Sequence, residues 1–192
     1  MKILAFDTET GGLDPKDASL LTSYYAILDS KNFEIVDELY LETMPDDRLV
    51  KANPGALAVN KINVEEHVKK AVTYAEGKKQ LEAFLKKHSP FKGALTPLAH
   101  NIDFDINFVQ THLLDKSTWE KYVSYRKLDT ANLANFFKLC GWFDESQKMS
   151  LGDVAKALDI QFEGDGAHNA ASDVKVMVKI LKTMVDSLRE IQ

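Results

Sequence analysis

Four carboxylates and one histidine stand at positions that a simple core-and-surface pattern does not explain. Asp7 and Glu9 close the apolar run Ile3-Leu4-Ala5-Phe6. Asp105 falls in AHNIDFDINF (99–108), and Asp173 in GDGAHNAASDVKVMVKIL (164–181), five residues after His168. Residues two apart in a strand face the same side. Asp7 and Glu9 therefore project together while Thr8 points away. Two such charges repel by roughly 2–4 kcal/mol at an effective dielectric near 20. Protonation, a basic partner or a bound cation relieves that repulsion, and beyond Lys2 no lysine or arginine lies close in sequence. Taken alone, the pair also reads as a strand end reaching solvent, with Asp7 capping a turn.

Asp105 alone is an ordinary first-turn acid favoured by the helix macrodipole, with Asn101 or Asp103 as the N-cap. It nevertheless shares a helix face with Val109 and His112, next to Phe104 and Phe108, at the edge of a buried stripe. Asp173 is more telling. Asp173, Met177, Ile180 and Met184 fall at i, i+4, i+7 and i+11, so the acid lies on the apolar stripe of its helix. A carboxylate there is costly unless it is paired or bound to a metal. Within one helix, a five-residue separation turns His168 about 140° away from Asp173. The two converge only if His168 stands at the helix entry, beyond the break at Gly164 and Gly166. The plain reading of His168 is an exposed helix-start histidine. Taken together, Asp7, Glu9, Asp105 and Asp173 are hard oxygen ligands that suit Mg²⁺ or Mn²⁺ rather than zinc. Two such ions about 3.5–4 Å apart are the template for phosphodiester cleavage. A histidine beside them is suited to take a proton from the attacking water.

The elements that must position these residues can be read from periodicity. Residues 2–6 predict a short buried strand, and 20–29 and 33–41 two more, joined by the Ser30-Lys31-Asn32 turn into an antiparallel meander. Pro54 suits the first position of a short helix over 54–60. Residues 78–88 predict an amphipathic helix with Leu81, Phe84 and Leu85 inward. A short strand at 94–99 leads into a helix over 103–114, and further helices follow at 130–139, 150–158 and 168–189. Strands first and helices mainly later indicate an α/β or α+β three-layer domain.

The chain has 192 residues, 45% hydrophobic, and a net charge of −5. Its length suits one domain spanning 1–192. The charge argues against coating long nucleic acid through a general basic surface, but not against gripping a chain end where a cation supplies the positive charge. No apolar run reaches membrane-spanning length, and Asp7 arrives too early for a signal peptide. A cytoplasmic location is the expectation. The single cysteine, Cys140, excludes an internal disulfide and reads as a small buried hydrophobe. Asp129, in KLDTANL, reads as the N-cap of the following helix, with support of the metal ligands as the alternative. His100 and His112 read as packing or surface residues. The pairs Lys69-Lys70, Lys78-Lys79 and Lys86-Lys87 read as solvated helix faces, one of which is placed to meet a phosphate backbone.

The motifs resemble those of the DEDDh 3′–5′ exonucleases, the superfamily of the proofreading epsilon subunit of bacterial replicative polymerase and of ribonuclease T. FDTETGGL resembles the first motif, HNIDFD the second and HNAASD the third, in that order. NPGALAVNKI (53–62) and MSLGDVAKALDIQFEGDGAHNAASD (149–173) resemble the family outside the catalytic residues. The resemblance implies an α/β, ribonuclease H-like fold with a five-stranded mixed sheet flanked by helices. It implies metal-dependent release of nucleoside 5′-monophosphates from a 3′ end by a two-metal-ion mechanism. By position, Asp7, Glu9, Asp105 and Asp173 are the implied metal ligands and His168 the general base. Thr10 and Leu13 match positions that touch the terminal nucleotide, and Asn101 and Phe104 match positions beside the scissile one. A related subclass has tyrosine where this chain has Asn169, so the histidine version fits better. Gly11 stands where threonine is frequent, and Asn169 where arginine or another residue is frequent; loss of an arginine there bears on substrate affinity.

The leading expectation is an exonuclease on single-stranded or frayed 3′ ends, DNA ahead of RNA, with a polymerase as a possible partner. The enzymatic rival is an exoribonuclease of ribonuclease T or oligoribonuclease type, because only recognition of the 2′-hydroxyl separates the two. A non-catalytic module that binds nucleic-acid ends or a polymerase would gain little from four clustered acids. A structural cation site would need no nearby proton acceptor.

Overall fold

The first strand runs well past the point where its apolar run ends. In the computed structural model, which describes residues 2–162 and 168–190, β1 spans Lys2–Thr10 and carries both acids on its last turn of pleat. It pairs antiparallel with β2 (Leu20–Asp29) from Lys2↔Asp29 to Thr10↔Leu20, with a register shift between Glu9 and Thr10. The sequence expectation of 2–6 falls short because Asp7, Thr8 and Glu9 look polar, while cross-strand partners keep them in the ladder. The strand β3 (Ile35–Met44) completes the meander. A parallel strand, β5 (Leu95–Ala99), lies on the other side of β1.

The mixed sheet has six strands in the order β4-β3-β2-β1-β5-β6, one more than expected. The additional strand is β4 (Val72–Thr73), and β6 (Leu128–Asp129) at the opposite edge is as short. Two residues are too few to carry a period-2 pattern. Eight helices flank this α/β sheet among the described residues: α1 (Pro54–Asn60), α2 (Val64–Lys70), α3 (Tyr74–His88), α4 (Ile102–His112), α5 (Lys116–Tyr122), α6 (Thr130–Leu139), α7 (Leu151–Ala157) and α8 (Ala170–Arg189). The sequence reading missed α2 and α5. Both are seven residues long and start at side-chain caps, Asn63 and Asp115, that also occur in ordinary turns. Among the described residues no helix is long and apolar enough to cross a membrane.

Strand alternation assigns the two faces. Phe6 opposes Tyr25 and Thr8 opposes Ser23 on one face, where α4 and α5 pack, the latter through Trp119 against Phe6. Asp7 opposes Tyr24 and Glu9 opposes Thr22 on the other face, over which α8 runs. The helix α8 is buried on two sides. Val174, Met177 and Leu181 join the main core, while Val176, Ile180 and Met184 meet Phe137 of α6 and Val154 of α7 in a second, smaller core. This double burial holds Asp173 on an apolar helix, 8% exposed, as its spacing predicts.

Cys140 departs from expectation. It is exposed, because α6 ends at Leu139 and Cys140 is already the C-cap residue. The apolar residues before it, Phe136 and Leu139, are 54% and 87% exposed. The helical stripe that the sequence reading continued into Cys140 therefore stops one turn earlier, at Phe137.

Candidate active site

The site forms where β1 and β5 end. Asp7, Glu9 and Asp173 each offer a carboxylate oxygen, and these oxygens lie within 4.8 Å of one another. With Asp105 and His168 they line a cavity of about 460 Å³, whose opposite wall includes Leu13, Ala56, Val59 and Asn60. All five residues singled out for catalysis are thus brought to one cavity, as are Thr10, Leu13 and Phe104. Asn101 is not among the lining residues. It is exposed beside them, at the entry to α4, with φ 63°. A non-glycine residue in that region is uncommon, and asparagine is among the side chains that tolerate it best.

The acids reach the site by different routes. Asp7 and Glu9 come directly from the strand, and Asp173 comes from the first turn of α8. Asp105 arrives from the opposite face of the sheet, on α4, and is 2% exposed. Its Oδ1 accepts two hydrogen bonds from one residue, from Thr8 N at 2.9 Å and from Thr8 Oγ1 at 2.7 Å. The residue between the two strand acids therefore fixes the third.

Burial dominates the electrostatics. Asp7 is pushed well above the ordinary carboxylate range, first by desolvation, then by the charges of Asp105, Asp173 and Glu9. Glu9 rises to about 8 through burial, then Asp173 and Asp105. Asp105 rises to about 7 through burial, against the pull of the Thr8 hydrogen bonds. Asp173 rises to about 6 through burial, against the His168 N–H. Among the described residues none of the four forms a salt bridge with lysine or arginine. Gathered carboxylates without a basic partner, offering only oxygen, are the donor set a hard divalent cation requires.

A stability prediction arises here. Folded-state values above the unfolded ones mean that the folded protein holds these protons more tightly. The resulting stabilisation is complete below about pH 4 and is lost as pH rises through 6, 7 and 8. Metal-free protein in EDTA should therefore melt progressively lower between pH 5 and pH 8.5. At pH 8.5, Mn²⁺ or Mg²⁺ at ~100 times its Kd should restore about 5–10 °C, since such binding contributes about 2.7 kcal/mol. Thermal melts across this grid check it, and a metal-free melting temperature that climbs with pH overturns it.

His168 stands before α8, which starts at Ala170 rather than at the expected 168 because Asn169 takes the N-cap. Asn169 is the N-cap, accepting from Ala171 N and Ser172 N, and His168 has φ 69°. The backbone N–H of His168 donates to both Asp173 oxygens at 3.3 and 3.2 Å, while the residue itself is exposed. Main chain and side chain are thus available for different tasks. The break expected at Gly164 and Gly166 lies outside the described residues.

Asp129 shows how the second motif is held. It caps α6 through Ala131 N at 2.9 Å, as expected. The same carboxylate accepts from Asn101 N at 3.1 Å and Ile102 N at 3.3 Å. Asn101 makes no side-chain capping bond, so one acid from β6 serves the N-termini of two helices. His100 also lines the cavity, but its ring nitrogens meet Thr130 Oγ1 and Met149 O, both at 2.9 Å. His112 meets Ala18 O at 3.0 Å. Both histidines are structural, as their sequence context suggests. Lys69 and Lys79 pair with Glu66 and Glu76 on exposed helix faces.

The wall opposite the acids had no signal in residue chemistry. Gly55, Ala56, Val59 and Asn60 of α1 line the cavity, and only the family resemblance of 53–62 pointed there. The β1 end holds α1 in place: Asn53 N donates to Gly11 O at 2.8 Å and Asn60 Nδ2 to Thr10 O at 3.0 Å. Gly11 is needed by close approach. A Cβ on it would run into Lys51 O and would sit 2.8 Å from Ala52 Cα. Thr10 Oγ1 closes the turn onto Gly12 O at 2.7 Å, which leaves Leu13 86% exposed at the cavity rim.

Comparison with known proteins agrees with this geometry. The sequence profile of the RNase_T family, described as exonuclease, matches residues 4–181. The chain is 25% identical over 191 residues to a PolC-type DNA polymerase III of Clostridium perfringens, covering 97% of this chain and 11% of that protein. It is 23% identical over 184 residues to an oligoribonuclease of Rhodococcus jostii, covering 94% of this chain and 84% of that one. The chain therefore spans about a tenth of the PolC-type relatives it matches. In three dimensions it is similar to exonuclease I, with a TM-score of 0.76 and 18% identity over 97% of this chain and 42% of that one. It is similar also to Escherichia coli exonuclease I in complex with a dA16 oligonucleotide, with a TM-score of 0.74 and 18% identity over 97% and 41%. The chain belongs to the RNase_T exonuclease family.

Proposed function

We propose that this 3′–5′ exonuclease domain acts on the 3′-terminal phosphodiester of single-stranded or frayed DNA and releases nucleoside 5′-monophosphates. The observation that carries the reading is the convergence of Asp7, Glu9 and Asp173 oxygens within 4.8 Å at the floor of an open cavity. These three residues, joined by Asp105, would hold two Mg²⁺ or Mn²⁺ ions. Such ions, when bound, polarise the attacking water and neutralise charge at the leaving oxygen. The chain itself does the rest. His168, exposed at the rim, takes the proton of the water that attacks phosphorus. The P–O3′ bond breaks, and the shortened strand keeps the oxygen as its new 3′-hydroxyl. Leu13 meets the last base, with Thr10 fixing the turn that presents it. Phe104 and Asn101 flank the nucleotide behind it.

DNA is placed first because exonuclease I, of the same fold, is seen with DNA oligonucleotides. The oligoribonuclease relative, matched over most of its own length, supports RNA as the second reading. Action beside a polymerase is the partner reading that the PolC-type relatives support. The test uses 5′-labelled single-stranded DNA and RNA of equal sequence, with Mn²⁺ or with EDTA. A metal-dependent 3′-to-5′ ladder, stronger on DNA, is expected. Stronger cleavage of RNA selects the second reading. No cleavage of either polymer by folded, metal-bound protein sinks both.

A further inference from the structure

Behind Asp105, on the face of the sheet turned away from Asp7 and Glu9, lies a small polar group inside the core. Thr8, Ser23 and Tyr25 share this face, since Thr8 opposes Ser23 across the β1–β2 ladder and Phe6 opposes Tyr25. The Tyr25 ring stacks on Phe6 with centroids 6.0 Å apart. Ser23 and Tyr25 are both 0% exposed, and beyond one another Ser23 Oγ and Tyr25 OH find no hydrogen-bond partner among the described residues. One bond between two such hydroxyls still leaves an O–H donor unmet in the core, a desolvation cost that natural proteins nearly always offset. Burial raises the Tyr25 phenol, hydrogen bonding to the Ser23 hydroxyl lowers it, and the charge of Asp105 raises it further. Asp105 already has both Thr8 donors on Oδ1, and Oδ2 carries neither of those bonds. An apolar packing of α4 on β1 and β2 would favour valine or phenylalanine at 23 and 25. Hydroxyls at these two places, able to give each other only one bond, call for a further polar partner.

We propose that Ser23 and Tyr25 are positioning residues for Asp105, acting through one buried water that bridges their hydroxyls to its carboxylate. Three polar partners in an otherwise apolar layer are what an internal water requires. The water and Thr8 together hold Asp105 from behind, so that an acid arriving from the far face of the sheet keeps one orientation toward the cavity. The device rests on the reading of Asp105 as part of the exonuclease site. It adds two core residues, remote from substrate, whose hydroxyls act on the rate.

Tyr25→Phe and Ser23→Ala test it, alone and together. Each single variant should lower kcat by roughly tenfold, the loss expected for a hydrogen bond to a charged group, with KM for the oligonucleotide within twofold of wild type. The double variant should lose little more than either single one, because both act through the same water. Melting temperatures should fall or hold. Unchanged kcat with a raised melting temperature in Tyr25→Phe overturns the proposal, since that is the result for a hydroxyl that is simply unsatisfied. A crystal structure of the full chain at about 1.5 Å decides independently of activity. Water density within hydrogen-bond distance of Ser23 Oγ, Tyr25 OH and Asp105 supports the proposal, and hydroxyls paired only with each other overturn it. Wild-type protein that cleaves nothing removes the exonuclease reading instead, and the crystallographic result still decides whether the water exists.

Discussion

Asp7→Asn should abolish hydrolysis and, in the same protein, raise the melting temperature measured without metal. Asparagine keeps the size and shape of the side chain and removes its charge. Asp7 is pushed well above the ordinary carboxylate range, because burial and three neighbouring carboxylates all oppose its ionisation. A neutral amide removes that opposition, so metal-free protein gains stability above pH 7. The same change removes one oxygen donor from the cluster of Asp7, Glu9 and Asp173. Charge stabilisation of several kcal/mol at the reacting phosphate goes with it, and each 1.4 kcal/mol is tenfold in rate. A loss on the order of 10³–10⁴ in kcat is the minimum expected. Melts in EDTA and in Mn²⁺ give the second readout: the variant should show a higher metal-free value and a much smaller rise on adding metal. A variant that loses activity and stability together would mean that Asp7 supports the fold and not the ions.

The second large effect concerns His168. Replacing it should slow cleavage by roughly 10²–10⁴-fold, the share of a general base, while leaving metal affinity within a few-fold of wild type. The structure separates these outcomes because the His168 contact to Asp173 is made by the backbone N–H. Any residue that holds the same main-chain conformation keeps that contact. With φ at 69°, alanine adds strain that asparagine largely avoids. His168→Asn is therefore the cleaner variant, and His168→Ala should lose some stability in addition. The pH–rate profile of kcat should lose its acid limb in both. Calorimetric Mn²⁺ affinity that collapses in His168→Asn would reassign the residue to the metal site.

The same residue shows what the sequence could and could not reveal. The five-residue offset from Asp173 lets the two converge only if His168 stands at the helix entry, and α8 begins still later than the expected 168, at Ala170 after the N-cap Asn169. The apolar stripe through Met177 and Ile180 correctly placed Asp173 in a core. Both inferences rest on one helix, where periodicity is local. Asp105 was harder. Its burial was readable at the edge of a stripe, but its approach from the opposite face depends on the crossover between β5 and α4. So do the two hydrogen bonds it accepts from Thr8, a residue that strand alternation turned away from the acids. The helix boundaries that came out well, 54–60 and 130–139, are those where Pro54 or Asp129 fixes the start. The second service of Asp129, to Asn101 and Ile102, had no trace in sequence, since it crosses from one edge strand to its neighbour. Cys140 departs for the opposite reason: its apolar neighbours suggest burial, whereas α6 ends at Leu139 and leaves Phe136, Leu139 and Cys140 to solvent.

Gly11 has a consequence for how this chain can change. The main chain at Lys51 and Ala52 occupies the space that any side chain at position 11 would fill, and hydrogen bonds from Ser19 N to Lys51 O and from Asn53 N to Gly11 O lock the two segments together. A threonine at 11, frequent in the family this chain resembles, cannot be introduced alone. The path of residues 48–53 would have to change with it, and α1, the wall of the cavity, would move too. The glycine and the connection between β3 and α1 are thus one heritable unit. Transplanting either into a relative without the other should distort the cavity wall while leaving every acid in place.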